Sequence, residues 1–129
     1  MIRVFHTNSG RRLNLAGRTA TEIVSARAGA QSTTLRMVEI PVPCAGEPVR
    51  GPHVHVDFEE CIVVLSGLGV TEADSGRFPL ERGDCVLIPP GEAHVTRNVG
   101  DEPLVLLCFF PVSDIGTGTR ELPPTIDTR

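Results

Sequence analysis

Apolar and polar positions along this chain change over short distances. No window keeps an i, i+3, i+4, i+7 apolar spacing beyond two turns, so amphipathic helices are not expected. Short runs rich in Val, Ile, Thr and Phe dominate, separated by Gly, Pro, Asp and Ser. The pattern predicts strands at Ile2–Phe5, Thr21–Ala26, Thr33–Ile40, His53–Val56, Cys61–Leu65, Gly69–Ala73, Arg77–Leu80, Cys85–Ile88, His94–Asn98 and Leu104–Phe110. Asp74-Ser75-Gly76 reads as a hairpin tip. Many short strands with regular turns predict an all-β sandwich or barrel in one domain, 1–129. From Gly116 onward, with Pro123 and Pro124, an extended tail over 116–129 is expected.

Two runs depart from alternation. Cys61–Leu65 and Leu104–Phe110 are apolar at consecutive positions, so both faces of these strands call for cover. In a chain of 129 residues the most economical second cover is another copy, and a homodimer is expected.

Composition narrows the chemistry. All 12 basic residues are arginine, and lysine, tyrosine and tryptophan are absent. That removes Schiff-base chemistry, a phosphate-loop lysine, a phenolic acid or base, and an indole platform. A formal charge of −4 without a basic stripe argues against a nucleic-acid partner. No apolar run is long enough to span a bilayer, and residues 1–20 lack the pattern of a secretory signal, so no membrane partner and a cytoplasmic location are expected. Cys44, Cys61, Cys85 and Cys108 form no Cys-x-x-Cys pair; the last three sit in apolar runs, as small buried hydrophobes do. Cys44 stands apart in a Pro-Val-Pro-Cys-Ala-Gly loop.

Three of the four histidines carry the strongest signal. His53 and His55 are two apart, so on a strand they project from one face with Cα atoms about 6.5–7 Å apart. Asp57, Glu59 and Glu60 follow, and Pro90-Gly91 can turn the chain so that His94 meets the pair. His6 lies far from this group.

At these positions the chain resembles the cupin superfamily. His53-Val54-His55, four residues, Glu60, six residues and Gly67 fit the first cupin motif. Gly83, five residues, Pro89-Pro90-Gly91, two residues, His94, three residues and Asn98 fit the second. Fifteen residues separate Gly67 from Gly83, as in compact single-domain members, and the motif core covers 46–98. One departure is visible: six residues, not five, separate Gly46 from His53.

The resemblance implies a double-stranded β-helix, or jelly-roll barrel, holding one divalent ion. By motif its ligands are His53, His55, Glu60 and His94, and Fe, Mn, Ni, Co or Zn would suit them. Parity then puts Ile62 and Val64 on the ligand side and Cys61, Val63 and Leu65 outside; His94, Thr96 and Asn98 share a face. Asn98 and the Pro-Pro-Gly turn are expected to shape loops, and Asp57 and Glu59 to face solvent. Arg36 and Glu39 are likewise expected outside; an inward Arg36 would imply an anionic substrate.

Four ligands on an octahedral ion leave two neighbouring positions for a substrate oxygen pair, or for substrate and dioxygen. The expected function is therefore a metal-dependent enzyme of dioxygenase type acting on a small enolisable or phenolic substrate. Glu60 is the candidate catalytic base, should it leave the metal. The alternatives are a non-catalytic metal or ligand-binding module and a Zn-type cyclase or isomerase.

Overall fold

Apolar runs become strands only where a partner lies beside them, and the order of partners decides which side chains meet. The computed structural model describes residues 1–124. Its strands are β1 (Arg11–Leu15), β2 (Arg18–Val24), β3 (Thr34–Ile40), β4 (His53–His55), β5 (Glu60–Ser66), β6 (Gly69–Ala73), β7 (Gly76–Leu80), β8 (Cys85–Ile88), β9 (His94–Asn98), β10 (Leu104–Phe110) and β11 (Thr119–Glu121). One sheet runs β1-β2-β3-β10-β5-β8 and the other β11-β4-β9-β6-β7, with every pairing antiparallel. This is the all-β jelly roll expected from the sequence. Among the described residues no helix is long and apolar enough to cross a membrane.

Both ends of the chain differ from expectation. Residues 1–6 form no strand and are largely exposed: Ile2-Arg3-Val4 alternates, but nothing pairs with it. Arg11–Leu15 is a strand instead, joined to β2 across Ala16-Gly17, where Gly17 takes φ +70°. At the other end, the expected extended tail over 116–129 is a 3-10 turn at Gly116–Gly118 followed by β11. β11 pairs with β4, Thr119 opposite His55 and Glu121 opposite His53. The backbone there finds a ladder, because Val56 donates to the Gly118 carbonyl at 2.8 Å and Leu122 to that of Pro52 at 2.8 Å. Residues 125–129 lie outside the described part.

The core lies between the sheets. Ile62, Val64, Leu104, Leu106 and Phe110 are buried in one cluster with Ile40, Phe58 and Ile88. Leu104 and Val64 are fully buried, each stabilising the fold by about 1.5–3 kcal/mol relative to exposure. Gly67, at φ +89°, lets the β5–β6 turn press on the β10 entrance: a Cβ there would meet the Pro103 carbonyl oxygen at 2.6 Å. Asn98 fastens the same end by donating to the carbonyls of Ile40 (2.9 Å) and Glu102 (2.8 Å), a loop-shaping role as expected.

Parity on β5 follows the sequence expectation: Glu60, Ile62 and Val64 are buried and Leu65 is exposed. Cys85 does not. It is exposed because β8 is an edge strand whose outer face has no layer on it, while Cys61 is half-buried and Cys108 buried. Cys44 is exposed in the loop before β4. Arg36 requires a correction of a different kind. On β3, Thr34, Arg36, Val38 and Ile40 share one face, and burial of Thr34 and Ile40 turns that face inward. Arg36 therefore enters the barrel, whereas Glu39 is exposed.

Candidate metal centre

Three strands, two from one sheet and one from the other, bring the four motif residues together. β4 carries His53 and His55 on one face, β5 opens with Glu60, and β9 opens with His94, whose Cα is paired with that of His53. The turn before β9 is held by Gly91, at φ +82°, donating to the His55 carbonyl at 2.7 Å. One donor atom from each of His53, His55, Glu60 and His94 lies within 4.8 Å of every other. His55, Glu60 and His94 are buried and His53 is nearly so.

Hydrogen bonds around the ring fix which imidazole nitrogen faces Glu60. His94 Nδ1 lies 2.9 Å from the Glu92 carbonyl oxygen, which can only accept, so Nδ1 carries the hydrogen. The Thr119 hydroxyl donates to the Ile115 carbonyl at 2.6 Å, which leaves its oxygen to accept from His55 Nδ1–H at 2.9 Å. In a ring carrying one proton Nε2 is then a lone pair, and both Nε2 atoms point at Glu60 Oε1, from 3.1 Å for His55 and 3.3 Å for His94. Three electron-rich atoms so placed repel one another unless positive charge joins them: a metal ion or, in its absence, protons that turn the Nε2 atoms into donors to the carboxylate.

The spacing suits an ion. With metal–ligand bonds of about 2.1 Å, adjacent donors on a tetrahedron or octahedron lie roughly 3.0–3.4 Å apart. Outer partners that orient the ring and raise its basicity, here Thr119 and Glu92, are what metal-bound histidines normally have. Burial, reinforced by His94, lowers His53 to about 3, so its ring is neutral and its lone pair free at neutral pH. Burial alone would raise Glu60; with a proton on Nε2, His55 and His94 donate to it, outweigh that burial and hold the carboxyl down to about 2.

These residues open onto a cavity of about 280 Å³, at the small end for ligand sites. Its walls are Ala20, Val38, Ile40, Ile62, Leu106 and Phe110 together with Thr96, Thr119, Glu121 and three arginines, Arg18, Arg36 and Arg50. Sequence reasoning did not find the arginines, Thr119 or Glu121 as site residues. The available signals were the Thr-x-Glu alternation after a Gly-rich turn and the β3 parity of Arg36 with Val38 and Ile40. Asp57 and Glu59 are exposed and stand outside the donor cluster, as expected. Cys108 lies deep in the wall, where burial and the Glu60 carboxylate push its thiol well above the ordinary range.

Residues 44–110, just over half of the chain, match the cupin domain family model. The chain belongs to the cupin family. Among curated relatives, an uncharacterised protein of Methanocaldococcus jannaschii is 38% identical over 56 residues, covering 43% of this cupin and 45% of the relative. Glucose-6-phosphate isomerase of Pyrococcus furiosus is 37% identical over 73 residues, covering 50% of this cupin and 39% of the isomerase. The match thus spans less than half the length of either relative. In fold, the cupin superposes on Lactobacillus farciminis oxalate decarboxylase with a TM-score of 0.75 at 23% identity, over 91% of this chain and 35% of the decarboxylase. It superposes on Pac13, a nucleoside dehydratase, with a TM-score of 0.76 at 17% identity, over 98% and 95% of the two chains.

Proposed function

We propose that this cupin is a metal-dependent enzyme that acts on a small oxygen-bearing substrate, with His53, His55, Glu60 and His94 as ligands to one divalent ion of the Fe, Mn, Ni, Co or Zn group. The observation that carries the reading is the pair of imidazole lone pairs aimed at one carboxylate oxygen. When bound, the ion supplies a Lewis-acidic centre for a substrate oxygen. The chain supplies a narrow, mostly apolar cavity that displaces water, and two carboxylates that can hold a proton. Glu60 is one. Glu121 is the other: it shares a strand face with Thr119, pairs in register with His53 and is exposed at the cavity wall.

Two chemistries use this arrangement. Oxidation of dioxygenase type needs the two coordination positions that four protein ligands leave on an octahedral ion. Proton-transfer chemistry of isomerase, cyclase or lyase type needs a base near the metal-bound oxygen. The similarity to an isomerase over half the chain, with Glu121 at the cavity wall, favours the second. Metal-loaded protein tested with enols, catechols and hydroxy or oxo acids, in air and without oxygen, separates them. Substrate-dependent oxygen uptake identifies a dioxygenase, and equal anaerobic turnover identifies proton transfer. Stoichiometric metal with no turnover across the panel would make this a binding module.

We further propose that the cupin is a cytoplasmic homodimer. Exposed free cysteines suit a reducing compartment. The outer face of the six-stranded sheet leaves Leu65, Leu87 and Phe109 at 39%, 66% and 40% exposure, an apolar surface that a second copy would cover. Light scattering at micromolar concentration tests the dimer; a monomer there would rule it out, and Leu87→Arg is expected to produce one.

A further inference from the structure

The cavity wall built by β2 and β3 carries an unmet demand of the opposite sign to the histidine cluster. In register, the inward row of the larger sheet runs from Glu22 on β2 through Arg36 and Cys108 to Ile62, which is two residues from Glu60 on the same face. With strands about 4.8 Å apart, the Cα atoms of Arg36 and Ile62 are about 10 Å apart. Guanidinium and metal ligands therefore face one small space.

Arg36 is only partly used by the fold. Its Nη2 donates to Glu22 Oε1 at 3.3 Å, but its buried Nε has no hydrogen-bond acceptor among the described residues. A structural ion pair accounts for Nη2 and leaves Nε unexplained, and a buried N–H without an acceptor is costly. Arg18 lines the same cavity. Its Nη1 donates to the Ala16 carbonyl at 3.0 Å, while the Glu121 carboxylate stands 3.8 Å from Nη2, too far for a hydrogen bond, on a side chain 68% exposed. Arg50 is committed elsewhere: it donates to the Thr96 carbonyl, and its own carbonyl accepts from Arg97. Three guanidiniums and two carboxylates, Glu60 and Glu121, line the cavity, with a third carboxylate, Glu22, behind Arg36, so the donors left over on Arg36 and Arg18 rather than net charge mark the site.

We propose that Arg36 and Arg18 form an anion subsite across the cavity from the histidine cluster, and that the ligand is a small carboxylic acid whose carboxylate lies on these guanidiniums while a second oxygen points to the metal. The Nε edge of an arginine fork matches a carboxylate, and displacing the loose Glu121 contact frees Arg18 to join it. The metal end of this assignment rests on the metal-centre reading; the arginine end does not.

The test titrates malonate, its neutral analogue malonamide and inorganic phosphate into metal-free protein, and Mn(II) into the same samples, by calorimetry and amide NMR. Malonate is expected to bind wild-type protein, with shifts at β2 and β3, and malonamide not to bind. Arg36→Gln and Arg18→Gln should each weaken malonate at least about tenfold, while Mn(II) affinity stays within about twofold. Arg36→Lys keeps a charge beside Glu22 but loses the fork, so it should fold if Arg36→Gln does not and still bind malonate more weakly. Unchanged malonate affinity in these variants, or malonamide binding as tightly as malonate, overturns the subsite. Phosphate binding more tightly than malonate overturns its assignment to a carboxylate. A malonate response without Mn(II) binding would defeat the metal centre alone, and Mn(II) binding without a malonate response would defeat the subsite alone.

Discussion

The cavity of this cupin has two walls that ask for opposite partners. On one, β4, β5 and β9 aim two imidazole lone pairs at a carboxylate oxygen, an arrangement completed by a cation. On the other, β2 and β3 hold guanidiniums with donors left over, an arrangement completed by an anion. A ligand carrying both a metal-seeking oxygen and a negative charge would satisfy both at once. The walls also differ in how firmly they are set. The histidine wall is fixed from behind, by the Thr119 hydroxyl and the Glu92 carbonyl, so its geometry exists before any ion arrives. The arginine wall depends on long side chains anchored at one nitrogen each, which can still adjust to what enters.

The largest effect should come from breaking the histidine wall itself. His94→Ala removes a proposed ligand, and metal affinity should fall by more than the roughly 10–100-fold expected for losing an outer partner. Metal analysis after dialysis against a fixed free-metal concentration measures this. Malonate binding to the metal-free protein should persist, because the arginines are untouched. If wild-type and variant retain equal metal, these residues are not its ligands; if malonate binding vanishes too, the two walls are not separate sites.

Thr119→Val should come next. Valine keeps the size of the side chain but cannot accept from His55 Nδ1–H, so the tautomer that points the Nε2 lone pair inward is no longer favoured. Metal affinity is expected to drop about 10–100-fold with little change in fold. A change below twofold, measured in the same metal titration, would mean that strand packing alone orients His55.

Thr119 also marks the boundary of what could be read from the chain. The three histidines of this wall were legible because they fall in two compact segments, 53–55 and 91–94, where strand parity and turn chemistry act over a few positions, while Glu60 was singled out from its acidic neighbours by the cupin motif. Local strand and turn signals gave an all-β sandwich or barrel, and the cupin resemblance implied the jelly roll. Arg36 was misplaced because a charged residue on a strand has a strong prior toward solvent. Its direction was decided instead by Thr34 and Ile40 on the same face and by Glu22 on a neighbouring strand, which are pairings rather than periodicities. β11 was missed because three residues carry too little pattern to announce a strand; it exists because β4 has an edge to offer. Cys85 was misread for the complementary reason, since an apolar run does not reveal that its strand is last in the sheet.

The smallest predicted effect separates the walls by their response to acid. His53 is held at about 3 in the folded protein against an ordinary 6.5, so below 6.5 an unfolded chain binds a proton that the folded one refuses. Stability of the metal-free protein therefore falls as pH drops from about 6.5 toward 3. Glu60, lowered from 4.5 to about 2, adds a further loss between those values as pH falls. Acid also competes with the ion for the same lone pairs, so a saturating metal should raise the melting temperature most at neutral pH and progressively less below 6. Thermal melts with and without Mn(II) from pH 7.5 to 4.5 would show a few degrees lost by the metal-free protein and a larger loss by the loaded one. Malonate binding to the metal-free protein should hold over most of that range, because an arginine guanidinium does not lose its proton there and malonate, as dianion or monoanion, keeps one carboxylate ionised. A metal-induced stabilisation that did not change with pH would mean the ion is held by groups other than these imidazoles.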